Sequence, residues 1–69
     1  MNEISYGVNT LELDLAGKTI EELRGIYAPI FQIPEDAVAY LNGEEVEDFE
    51  VLESGDTLEF IKTAGGKGA

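Results

Sequence analysis

Carboxylates are the most numerous side chains in this sequence that could do chemistry. Fifteen Asp and Glu residues stand against four Lys and Arg, which gives a formal charge of −11. Six of the acids crowd one short segment: Glu44, Glu45, Glu47, Asp48, Glu50 and Glu53. The first five are our candidates for docking a basic partner. The simpler interpretation is a solvated loop, because runs of charge are usually just hydrated.

The same carboxylates do not match a metal site or a hydrolytic site. Their spacing lacks the ligand pattern and the central glycine of an EF-hand loop, and a domain this small offers no cleft for paired catalytic acids. Gly17-Lys18-Thr19 resembles the end of a phosphate-binding loop, but Glu12 stands where that motif has its upstream glycine. The sequence has no Cys and no His. We therefore expect no catalytic residue, no metal and no cofactor in this chain.

The other group that could do chemistry is a run of small residues at positions 63–69. It contains Gly65, Gly66 and Gly68 and no large side chain, so we expect a mobile tail after a folded domain at 1–62. Glycine has no Cβ, and a glycine backbone can therefore pass through a narrow channel in another protein. The alternative is a flexible terminus without chemistry.

Apolar and polar residues alternate in two segments near the start of the chain. Residues 4–8 and 11–15 both show the period of two that is typical of half-buried strands, with the leucines of the second facing inward. Residues 7–10 offer a turn, since Gly and Asn can take positive φ, so the two segments predict a β-hairpin. Thr19 and Glu22 then have the spacing of a capping box, which predicts a helix beginning there. We expect Pro29 to end this helix after two or three turns.

The second half of the sequence predicts three further strands. Residues 37–41 and 44–46 flank Asn42-Gly43, the strongest two-residue hairpin signal, and residues 57–62 form a last strand. The predicted core comprises Ile4, Leu13, Leu15, Leu23, Phe31, Val38, Leu52, Leu58 and Phe60, with further contacts from Phe49 and Val51.

This order of elements predicts the fold class. A single helix between two hairpins must cover one face of a sheet, so we expect an α+β domain with a mixed four- to five-stranded sheet packed on one helix. The last strand is expected at the centre, beside the first, so that the tail leaves from an anchored position.

Three segments resemble the sulfur-carrier branch of the ubiquitin-like (β-grasp) family, the thiamine-type and molybdopterin-type carriers. Residues 37–46 are similar to that family's apolar strand, Asn-Gly turn and valine. Residues 51–60 are similar to its leucine, Gly-Asp and apolar strand, and Gly65-Gly66 to its glycine pair. The ending Gly-Lys-Gly also resembles, more loosely, small bacterial ubiquitin-like proteins.

The resemblance implies a protein that is a substrate and not an enzyme. A partner adenylating enzyme would activate the terminal glycine with ATP, leading either to a thiocarboxylate for sulfur transfer or to an isopeptide bond. Such carriers end at the glycine pair, whereas Lys67-Gly68-Ala69 follow it here. A tail-processing peptidase is therefore expected to expose Gly66, with Gly68 as the other candidate end.

A second hypothesis belongs to another class of protein. The chain would be a non-conjugated interaction module that binds a basic partner through its acidic surface or its sheet face. In either case the negative charge argues against nucleic acid and against membrane surfaces, and favours a soluble monomer. No basic region followed by an apolar stretch opens the sequence, so we expect a cytoplasmic protein.

Overall fold

The computed structural model describes residues 1–62, which form one helix and five strands. The strands are β1 (Asn2–Tyr6), β2 (Asn9–Leu13), β3 (Val38–Leu41), β4 (Glu44–Val46) and β5 (Thr57–Ile61), and the helix α1 is Ile20–Phe31. The predicted α+β architecture is confirmed. The predicted tail, residues 63–69, lies outside the described residues.

The five strands form one mixed sheet in the order β2-β1-β5-β3-β4. β5 lies at the centre, parallel to β1 and antiparallel to β3. β2 and β4 are the two edges, each paired antiparallel to its hairpin partner. The predicted central position of the last strand, beside the first, is confirmed.

Both hairpins close with two-residue turns. Asn42 and Gly43 have φ of 53° and 89°, as a type I′ turn requires, so the prediction from this dipeptide is confirmed. In the first hairpin Tyr6 pairs with Asn9, and Gly7 has a φ of 60°. The predicted turn within residues 7–10 is therefore confirmed, whereas the half-buried position predicted for Val8 is wrong, because Val8 is 97% exposed in the turn.

The helix begins with the predicted capping box. The Glu22 amide donates to the Thr19 hydroxyl at 3.1 Å, and the Glu22 carboxylate accepts from the Thr19 amide at 2.9 Å. The predicted end at Pro29 is wrong, because α1 continues to Phe31. Pro29 removes only the hydrogen bond to the Gly25 carbonyl, and both residues lie on the exposed side, where water can replace it. The extra residues bring Phe31 into the core, 5.8 Å from the Tyr27 ring.

The core lies between α1 and the sheet. Its buried apolar residues are Ile4, Leu15, Ile20, Leu23, Tyr27, Phe31, Ile33, Ala37, Ala39, Leu52, Leu58 and Phe60. Seven of the nine predicted core residues are among them, while Leu13 is half-buried against this cluster. Val38 is also only half-buried, because its neighbours Ala37 and Ala39 are the ones that face the helix. Leu11 is 39% exposed, since β2 is an edge strand.

Two predicted core contacts from the acidic segment are wrong. Phe49 is 73% exposed and Val51 is 48% exposed, whereas Leu52 is buried. The segment around them is hydrogen-bonded to the start of α1 through its backbone, which leaves these two side chains on the outside.

One polar side chain is buried in this core. Asn2 is 1% exposed, and its amide group bridges two loops. It donates to the carbonyls of Glu53 at 2.7 Å and Asp56 at 3.0 Å, in the loop before β5, and it accepts from the Leu15 amide at 3.0 Å, in the loop before α1. Both of its N–H donors and one lone pair of its oxygen are thus used inside the protein.

Candidate functional site at the end of the last strand

The predicted reactive segment follows directly on the central strand. β5 ends at Ile61, with β1 on one side and β3 on the other. Gly65, Gly66 and Gly68 lie outside the described residues, so the structure leaves the prediction for them as it stands. What the structure gives is the surface around the point where this segment begins.

A shallow, open depression of about 340 Å³ lies at this point. It is lined by Tyr6 and Gly7 from the first hairpin and by Glu59, Phe60, Ile61 and Lys62 from the last strand. Acidic, basic and aromatic residues therefore line the surface from which the segment begins. This depression could not be predicted from the sequence, because it depends on the parallel pairing of β1 with β5.

The sheet face opposite α1 carries an apolar group beside the depression. Leu58 and Phe60 are buried under the helix, so Glu59 and Ile61 point to the other face. Ile61 pairs with Val38, and Glu59 pairs with Tyr40. Ile61 is 40% exposed, and its two apolar neighbours are half-buried. This outer face group, Val38, Tyr40 and Ile61, gives a partner an apolar contact next to the last strand.

The predicted docking carboxylates lie on and after the edge strand β4. Glu44 and Glu45 belong to β4 and are exposed, as is Glu47, while Asp48 and Glu50 are half-buried in the following turn. The structure thus brings the five candidates together on one edge of the sheet.

Asp48 differs from the other four, because its charge is already paired. Its carboxylate accepts from Nη2 and Nε of Arg24 at 2.9 and 3.2 Å. The third guanidinium nitrogen of Arg24 donates to the Ala37 carbonyl at 2.7 Å, and the guanidinium lies 5.1 Å from the centre of the Phe60 ring. Asp48 therefore holds the acidic segment against the helix, and it contributes less free charge to a partner than its neighbours do.

The two turns in the segments that carry the family resemblance are joined to each other. The Asn42 side chain donates to Asp56 at 2.9 Å and accepts from the Thr57 amide at 2.9 Å. Asp56 also accepts from the Glu53 amide at 2.9 Å. The hydrogen bond from Asn42, followed by that from Glu53, lowers the pKa of the Asp56 carboxyl below its ordinary value of 3.8. These contacts set the start of β5, so the Asn-Gly and Gly-Asp motifs are explained by the fold.

Residues 1–62 contain neither a metal-binding cluster nor a membrane-spanning helix. Within that range, no three carboxylates are grouped so that they could hold a metal ion. In the same range, no helix is long and apolar enough to cross a membrane.

The chain matches no family model and no curated protein. Among solved structures it is similar to the C-terminal ubiquitin-like domain of mouse tubulin-specific chaperone e, with a TM-score of 0.68. The two are 18% identical, and the match covers 96% of this chain and 88% of the other. A likeness at this identity shows the fold and does not point to the sulfur-carrier branch. With one helix on a five-stranded mixed sheet, this chain has the ubiquitin-like β-grasp fold.

Proposed function

We propose that this protein is a ubiquitin-like sulfur carrier or protein modifier whose C-terminal glycine is adenylated by a partner activating enzyme. The observation that carries the proposal is the position of β5. The strand lies between two others, and the side-chain-poor sequence at 63–69 follows it directly. A partner that binds this sequence would act on a segment that is attached to the central strand of the sheet.

The chemistry needs a free carboxylate at the end of the tail. Because Lys67 follows Gly66, a peptidase would first hydrolyse the bond between them. A carboxylate oxygen of Gly66 would then attack the α-phosphorus of ATP, and pyrophosphate would leave. A hydrosulfide ion would attack the acyl carbon and release AMP to give a thiocarboxylate, or a lysine amine would do so, losing a proton, to give an isopeptide bond. Catalytic groups would belong to the partner, in keeping with the absence of Cys and His here.

The outer face group and the depression supply the contacts that such a partner would use. Ile61 and Tyr40 offer apolar area, and Lys62 and Glu59 offer charges of both signs at the base of the tail. A mixed surface of this kind suits a transient complex, which is more polar than a permanent one.

Intact mass spectrometry tests the proposal directly. The protein purified from its own cells should end at Gly66, either free or carrying the mass difference of one oxygen replaced by sulfur, or of a conjugated protein. A variant with Gly66→Pro should lack that modification, because proline fixes φ and stiffens the segment. The matched control is Gly25→Ala, on the exposed side of α1, where an added Cβ would meet nothing within 4 Å. Native protein that keeps Lys67 and is unmodified, together with full biological activity after deletion of residues 63–69, would show that the tail is not a substrate.

A second candidate function is favoured by the acidic surface. Residues 44–56 contain no Lys or Arg and seven carboxylates: Glu44, Glu45, Glu47, Asp48, Glu50, Glu53 and Asp56. A surface of one sign attracts a partner of the other. The protein would then be a cytoplasmic interaction module that binds a basic partner without being conjugated. Binding of that partner should survive deletion of the tail and should weaken as salt concentration rises.

A further inference from the structure

Phe49 is the most exposed aromatic side chain in the part of the chain that the structure describes. Its ring is 73% exposed, and Val51, two residues later, is 48% exposed. A single exposed apolar residue is ordinary on protein surfaces. The exposure of Phe49 needs a further reason. Aromatic rings bury the largest apolar areas, and the core is only a few residues away in sequence, at Leu52.

The backbone on both sides of Phe49 is fixed. The Glu21 amide donates to the Asp48 carbonyl at 3.0 Å, and the Ile20 amide donates to the Glu50 carbonyl at 2.9 Å. These are amides of the first helical turn, which have no partner inside the helix. The Arg24 contacts hold the Asp48 side chain as well. The ring is therefore presented outward by a turn that is anchored one residue before it and one residue after it.

Carboxylates surround the exposed ring. Glu47 is exposed and Glu50 is half-buried next to Phe49, and Glu21 projects from the helical turn to which this segment is bound. Two cations belong to or precede α1: Arg24 is paired with Asp48, and the charge of Lys18 acts on Glu22. The surroundings of Phe49 thus remain negative.

We propose that Phe49 is the apolar anchor of a docking surface for a basic protein segment. The ring would enter an apolar pocket of the partner, and the carboxylates around it would pair with Lys and Arg at the rim of that pocket. This division matches the energetics of known interfaces, in which a central aromatic anchor carries much of the affinity and rim charges set the rate and the choice of partner. A backbone that is already held in place loses little conformational freedom on binding. The inference rests on the second proposed function and is independent of the tail.

A defined peptide serves as the probe. It is a synthetic peptide of alternating lysine and leucine, compared with a peptide of equal length and charge in which every leucine is serine. The full chain, labelled with ¹⁵N, is titrated with each. The lysine/leucine peptide should bind saturably, with the largest amide shifts at residues 47–51 and 20–21. The lysine/serine peptide should bind at least about tenfold more weakly, the loss expected when an anchor contact is removed.

Matched variants separate the anchor from the charge. Phe49→Ser should weaken binding of the lysine/leucine peptide about tenfold. Val8→Ser, which removes an exposed apolar residue from the far hairpin, should leave it unchanged. Combining Glu47→Gln with Glu50→Gln should weaken binding of the peptide and reduce the dependence of its affinity on salt. The matched control combines Glu3→Gln with Glu12→Gln, on β1 and β2, and should change neither the affinity nor its salt dependence. Thermal melts of all variants show that they are folded.

The outcomes distinguish the anchor from the acidic surface. Equal affinity of wild type and Phe49→Ser, or equal affinity for the two peptides, would overturn the anchor. If the anchor were overturned in this way but the Glu47→Gln/Glu50→Gln variant bound the lysine/leucine peptide more weakly than the wild type, docking through the acidic surface would remain supported without the aromatic anchor. No saturable binding of the lysine/leucine peptide by the wild type would overturn both.

Discussion

Replacing Asn2 with alanine removes the buried amide that ties the loop before β5 to the loop before α1. The change deletes two hydrogen bonds donated by Nδ2, to Glu53 and Asp56, and one accepted by Oδ1 from Leu15. Since the side chain is 1% exposed, water does not reach these groups freely after the substitution. One amide and two carbonyls are therefore left without their partners.

The expected loss of stability follows from these three contacts. A neutral hydrogen bond contributes about 1 kcal/mol net, and a buried group left unsatisfied costs about 1–3 kcal/mol. We expect Asn2→Ala to lower the free energy of unfolding by about 3 kcal/mol. At roughly 0.05–0.15 kcal/mol per residue, a domain of this length has about 3–10 kcal/mol in total. The single change should thus remove a large share of the stability of the domain.

Urea unfolding monitored by circular dichroism measures this loss. The matched control is Asn9→Ala, which removes an exposed asparagine at the start of β2 and should change the free energy of unfolding by less than about 0.5 kcal/mol. The midpoint should fall for Asn2→Ala with little change in the slope of the transition. If both variants unfold within about 0.5 kcal/mol of the wild type, the assigned role of the Asn2 network is wrong.

Two further changes test the contacts around the site. Arg24→Lys keeps the charge but cannot reproduce the fork that holds Asp48, so it should lower the free energy of unfolding by about 1–2 kcal/mol; a melt equal to that of wild type would contradict this. Asp56 has a lowered pKa in the folded protein, so its stabilising contribution is present above its ordinary pKa of 3.8 and is lost as pH falls through the folded value. Asp56→Asn should therefore be less stable than wild type at pH 7, and the gap between the two melting temperatures should narrow as pH falls towards 3; a gap that is constant with pH would contradict the assignment.

The parts of the fold that could be predicted from sequence depend on short-range contacts. The capping box joins Thr19 to Glu22, and the type I′ turn needs only Asn42 and Gly43, so neighbouring residues decide each. The Asn2 network gave no such signal. Its partners lie 13, 51 and 54 residues away, and a polar residue near the start of a chain is ordinarily exposed.

The errors at apolar residues have a related cause. Val8, Phe49 and Val51 were predicted to point inward from the apolar pattern, but burial depends on which elements pack against a segment. The anchoring of the acidic segment by Arg24 was equally hidden, since its partner Asp48 is 24 residues away. Of the candidate site, the carboxylates were found from their crowding in sequence, whereas the depression beside β5 follows only from strand order.

The strand register connects the two proposed functions in space. Val46 at the end of β4 pairs with Ala39, and Ala39 pairs with Phe60 near the end of β5. β4 and β5 both run antiparallel to β3, so the acidic segment leaves β4 and the tail leaves β5 at the same end of the sheet. Two strand spacings separate the two points, about 10 Å. A basic partner bound at Phe49 would thus be within reach of the tail. Docking at Phe49 would raise the effective concentration of the tail at that partner. We expect a partner enzyme that uses both surfaces to lose affinity with Phe49→Ser and modification with Gly66→Pro.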